Sequence, residues 1–181
     1  MASPAKSGEP LKSFSIECDY MTSYTGEYYT QHYSPIQRAK YAQLWPLIKD
    51  LFAFNTKITL LDVGIGPAWL ESFLAEKNVS FTRVVGTDVS EAAISPRKKG
   101  IVYVIDSHFN SAEKFDLVIC FDAWHCFPKM DLMKFVKPNG LLLVSEPLTF
   151  EKQLEKLPTG KRLVDVVVGE MEKSRVVLVK I

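Results

Sequence analysis

The chain lacks the features that mark several protein classes. Among its 181 residues are three cysteines, Cys18, Cys120 and Cys126. The number is odd and no C-x-x-C pair occurs. This argues against a disulfide framework or a metal site, and it predicts reduced thiols in a cytoplasmic protein. No apolar run approaches the roughly 18 residues needed to span a bilayer, so no membrane association is expected. The stretch MASPAKSGEPLK has no apolar core segment, which predicts no signal peptide and a flexible tail over residues 1–17. Neither charge sign dominates: 22 Lys+Arg stand against 21 Asp+Glu, for a formal net charge of +1. That argues against a protein that coats nucleic acid through a general basic field, though not against a local patch. No internal repeat is visible, and no glycine loop ends in G-K-[ST], as a P-loop requires.

What is present is an alternation of helix and strand patterns from about residue 34. PIQRAKYAQLWPLIKDLF has apolar residues at helical spacing. KITLLDVG, TRVVGTDVS, GIVYVIDS, KFDLVICFD and LLLVSEP read as strands. Between and after them PAWLESFLAEKN, SEAAISPRKKG, PKMDLMKFV and LTFEKQLEKL read as helices. KRLVDVVVGEMEKSRVVLVKI reads as two strands joined by a charged turn. A turn this short leaves no room for a crossover, so that pair is antiparallel. The expected fold is α/β: a doubly wound, mostly parallel seven-stranded sheet with helices on both faces and an antiparallel last strand. One domain spans residues 18–181.

The most specific stretch is LLDVGIGPAWLESFLAE, residues 60 to 76. A buried strand ends in Gly64 and Gly66, and a helix follows at once. Ligands of open α/β sheets sit beyond the carboxyl ends of strands, and glycine lets a ligand approach the backbone closely. A dinucleotide fingerprint puts its third glycine at position 69. That position holds Trp69, which obstructs a pyrophosphate.

LLDVGIGPA resembles the first motif of class I S-adenosylmethionine-dependent methyltransferases, an acidic residue followed by G-x-G-x-G, with Ala68 in place of the third glycine. VVGTDVS, YVIDS, FDLVICFD and FVKPNGLLLVSEP resemble the later motifs in order, Asn139 replacing the first glycine of L-K-P-G-G. The resemblance covers roughly residues 28 to 181. It implies S-adenosyl-L-methionine as cofactor and S-adenosyl-L-homocysteine as product. Asp62, Gly64 and Gly66 are expected to take the methionine part. Asp88 is expected to accept from both ribose hydroxyls, with Val89, Asp106, Ser107 and Phe121 around adenine.

In this family the acceptor site follows strand four, here CFDAWHCFPK. The N/D-P-P-Y motif of amine methylases and a Pro-Cys nucleophile are both absent. Asp122 and His125 remain as candidate catalytic groups, His125 alternatively as a structural histidine capping the following short helix, with Trp124 as a packing residue or a substrate wall. Six of the seven tyrosines fall between Tyr20 and Tyr41. Tyr28, Tyr29 and Tyr33 are candidates for a lid over the site, formed by residues 18 to 33 with Gly26 as hinge or simple turn, or else for a helix across the sheet with its tyrosines half buried. The Arg97, Lys98 and Lys99 cluster reads as a solvated helix end or an RNA contact. With no recognition insertion, the expected acceptor is a small molecule. The alternatives are tRNA or protein recognised with a partner subunit, a homodimer, or a cofactor-binding module without turnover.

Overall fold

A computed structural model describes residues 26–52, 58–95, 97–106 and 108–181, and for residues 26–29 the backbone alone. The first helix of the described residues, α1, runs Gly26–Phe52. Its buried positions are Gln37, Lys40, Tyr41, Leu44 and Ile48, a stripe at the three- and four-residue spacing of one helix face. The helix therefore begins at Gly26 rather than near residue 34. Tyr33 sits one turn before Gln37 on the same face, so the stripe continues upstream. Residues 26–33 of the expected lid are regular helix, and Gly26 opens it. The rest of that segment, residues 18–25, and the tail 1–17 lie outside the described residues.

The strands are β1 (Ile58–Val63), β2 (Phe81–Asp88), β3 (Ile101–Ile105), β4 (Phe115–Phe121), β5 (Val136–Pro147), β6 (Arg162–Val168) and β7 (Ser174–Lys180). They form one seven-stranded sheet in the order β3-β2-β1-β4-β5-β7-β6. Only β7 runs against its neighbours, β5 and β6, as the short turn between the last two strands requires. Successive residues of β1 serve opposite faces: Leu60 packs with Tyr41, Leu44 and Ile48, while Leu61 packs with Phe127, Leu132 and Phe135.

The two α-helices among the described residues, α1 and α2 (Trp69–Glu76), cover the Leu60 face. The other face is covered by short 3₁₀ helices, Trp124–Cys126, Leu132–Phe135 and Leu148–Lys156. LTFEKQLEKL thus winds more tightly than expected. Leu154 and the following Leu157 are both buried, and a separation of three residues returns to one face of a three-residue turn. SEAAISPRKKG forms turns rather than a helix, and Ile94 plugs beneath Ile65 and Ala68. Asn139 has φ 64°, which explains why the resembling motif has glycine there: asparagine is one of the few other residues that adopts this backbone readily.

Cys120 is a free thiol, fully buried, and burial pushes its pKa up. Cys126 is disulfide-bonded. The expectation of three reduced thiols is corrected there, and with it goes the cysteine argument for a cytoplasmic protein. No described helix is long and apolar enough to cross a membrane.

Candidate functional site

The carboxyl ends of β1, β2 and β4 open into a cavity of about 610 Å³, within the range of small-molecule sites. The loop after β1 builds its floor. Gly64 and Gly66 have φ 77° and 50°, and Ala68 shares the left-handed conformation at φ 56°. The amides of Gly64 and Ile65 donate to Thr87 O at 2.7 and 3.1 Å, tying the loop to β2. The two glycines do different work. A Cβ on Gly64 would stand 2.3 Å from the Ala123 Cβ, so this glycine admits the loop after β4. A Cβ on Gly66 would meet nothing within 4 Å, so that backbone faces open space.

Asp88 closes β2. Its Oδ2 accepts from the Gly66 amide and its Oδ1 from the Ser90 amide, both at 2.9 Å. Burial raises its pKa, and these amides hold it down. Asp62, at the end of β1, is 3% exposed.

Asp122 follows β4 with φ 54°. Its carboxylate accepts from Lys40 Nζ at 2.7 Å, Ser145 Oγ at 2.6 Å and Gln37 Nε2 at 3.2 Å. The expected catalytic carboxylate is thus engaged by three protein donors, as a joint between α1, β4 and β5. His125 is placed differently. Its Nδ1 lies 2.7 Å from Glu146 Oε2, and its backbone amide donates to Glu146 Oε1 at 2.8 Å. The ring stacks on Phe150, centroids 4.2 Å apart and planes 6° apart. Glu146 is fully buried; burial raises its pKa, and His125 draws it back down.

Asp62, Gly64, Gly66, Asp88, Val89, Phe121, Asp122, His125 and Tyr33 all line this one cavity. Asp106 does not: it is exposed, and its Oδ1 accepts from the His108 amide at 2.7 Å. Trp124 does not either. It belongs to the core, and its indole N–H donates to Met130 O at 3.1 Å, in keeping with the packing alternative for this residue. Ser107 and the side chains of Tyr28 and Tyr29 lie outside the described structure.

Sequence reasoning missed Glu146, Phe150, Gln37 and Lys40. A carboxylate directly after the apolar run LLLVS was a legible signal for Glu146, and a lysine on the buried stripe of α1 was one for Lys40. The basic cluster is partly consumed by the fold: Lys98 Nζ donates to Ala68 O at 2.7 Å and to Ser72 Oγ, and Arg97 pairs with Glu91 at 3.4 Å.

A glycine loop after β1 and an acid ending β2, below one cavity, define an α/β protein that binds a nucleoside-bearing ligand. Residues 36–166 match the family described as "Methyltransferase domain", and the chain belongs to it, within the class I S-adenosylmethionine-dependent methyltransferases. Solved structures share the fold. Magnesium protoporphyrin IX methyltransferase from Synechocystis PCC 6803, with bound S-adenosylhomocysteine, is 15% identical with a TM-score of 0.58, over 90% of this chain and 96% of that one. Ribosomal protein L11 methylase from Lactobacillus delbrueckii subsp. bulgaricus is 18% identical with a TM-score of 0.56, over 77% of each chain. The plantazolicin methyltransferase BpumL, with a desmethyl-plantazolicin analogue and S-adenosylhomocysteine, is 16% identical with a TM-score of 0.53, over 74% of this chain and 57% of that one. Comparison with curated protein sequences gave no match.

Proposed function

We propose that the chain transfers a methyl group from S-adenosylmethionine to a small-molecule acceptor whose nucleophile carries a proton. The observation that carries this reading is the His125–Glu146 pair, whose histidine lines the same cavity as Gly66 and Asp88.

The cofactor-side residues fit the molecule. Gly66 offers bare backbone with open space before it. Each Asp88 oxygen holds one amide at 2.9 Å and the Val89 amide adds a third contact; a carboxylate has about four lone-pair positions, so acceptor capacity remains toward the ribose. The bound cofactor supplies a methyl carbon already activated by its sulfonium. The chain then has to align a nucleophile with that carbon and remove its proton. With Glu146 ionised, His125 Nδ1–H donates to it, and Nε2 is left to act as the base. Phe150 fixes the ring plane by stacking.

The mouth argues for the acceptor class. Glu170, Met171, Glu172 and Lys173 of the β6–β7 turn line it, and two carboxylates beside one lysine offer no cationic surface for a phosphate backbone, whose recognition depends on cations. A labelled-cofactor screen of small-molecule, RNA and protein fractions tests the reading. Label is expected in the small-molecule fraction. Label confined to RNA or protein overturns the acceptor class, and cofactor binding with no label anywhere favours a module without turnover.

Asp88→Ala removes the ribose contact. A hydrogen bond to a charged group is worth about 1.5–3 kcal/mol, so affinity for S-adenosylhomocysteine should fall about 10- to 150-fold. Calorimetry showing unchanged affinity sinks this assignment.

A further inference from the structure

Two acids meet beneath the cavity floor. Asp62 is 3% exposed and Glu71, in the first turn of α2, is 8% exposed. Their carboxyls lie within hydrogen-bond reach of one another. Both Glu71 oxygens are buried without a well-aligned donor; the nearest is the residue's own backbone amide. Two ionised carboxylates are acceptors only, and like charges this close and this dry do not both persist.

We propose that Asp62 and Glu71 share a single proton at neutral pH, so that the pair presents one negative charge to the cofactor's one ammonium. Glu71 is then a positioning residue, which holds the Asp62 carboxylate toward the amino-acid end of the cofactor without doubling the charge. This rests on the cofactor reading above.

The surroundings fit. Asp88 on β2 adds further negative charge beside Asp62. Across α2, Lys98 faces Glu71. Tyr103 on β3 and Cys120 on β4 are the other titratable neighbours, and both lie near the pair's negative charge. Burial and mutual repulsion raise Asp62, and burial raises Glu71. The proton belongs to the pair rather than to either residue.

The ligand-free chain tests the proton directly. At neutral pH, difference infrared spectra should show a protonated-carboxyl stretch in the wild type that Glu71→Gln removes. Absence of that band in the wild type overturns the proposal. Binding tests the role. Glu71→Gln keeps a donor and the single charge, and should hold S-adenosylhomocysteine affinity within about threefold. Glu71→Leu should weaken it about tenfold or more. 5′-Methylthioadenosine, which has no amino-acid part, should bind alike to all three. A Gln variant as weak as the Leu variant, or a Leu variant as tight as the wild type, overturns the assignment. Failure of the wild type to bind S-adenosylhomocysteine would instead count against the cofactor reading, and the infrared result would stand apart from it.

Discussion

His125→Asn should lower turnover of the identified acceptor by about 10²- to 10⁴-fold while S-adenosylhomocysteine affinity stays nearly intact. The magnitude follows from what is lost. Asparagine keeps a polar group near Glu146 but offers no base at the cavity. Methyl transfer then relies on alignment and on the intrinsic acidity of the acceptor. The ring's place explains why the effect should fall on kcat. It is gripped twice by a fully buried carboxylate, at Nδ1 and through the backbone amide, and backed by Phe150. Glu146→Gln should give a smaller loss in kcat with KM unchanged, because an amide oxygen can still accept from Nδ1. A purely structural histidine gives the opposite pattern: a lower melting temperature with turnover per folded molecule preserved. That pattern would remove His125 from the chemistry.

How far the sequence led can be judged from particular residues. The sheet was legible because its central strands are continuous apolar runs, and β7 because no crossover fits between it and β6. Gly66 and Asp88 were legible because strand ends advertise themselves by an abrupt change from apolar to turn chemistry. What failed was local. The start of α1 was set too late because Pro35 reads as a first-turn proline. The 3₁₀ winding of 148–156 has almost the same apolar spacing as an α-helix over so short a run. The partners of His125 were out of reach for another reason. Glu146 lies on the next strand of the sheet, and only the register of β4 against β5, which pairs Phe121 with Ser145, brings the two together. Asp106 and Trp124 show the converse. Residue type and position within a motif matched the site, yet one side chain turns to its own loop and the other into the core.

Lys40→Met should cost about 3–5 kcal/mol of folding stability, the scale for removing one partner of a buried ion pair. In a chain of this size that is a drop in Tm of roughly 6–20 °C. Both partners are withdrawn from water, with side-chain exposures of 1% for Lys40 and 8% for Asp122, so solvent screening relieves little of the penalty. The ammonium also donates to Ser174 Oγ at 3.0 Å. One nitrogen therefore fastens α1 to the end of β4 and the start of β7. Methionine matches the stem's volume and leaves Asp122 charged, buried and short of its strongest donor. The loss comes from that stranded charge, not from a cavity, so neutralising the partner should recover much of it. Asp122→Asn in the Lys40→Met background is the informative variant, because asparagine tolerates the φ of 54° held at this position. Urea denaturation of both variants gives the answer. If the double variant is no more stable than the single one, the stranded carboxylate is not the cause. The cost would then lie in the contacts that the Lys40 ammonium itself makes, including the one to Ser174 Oγ.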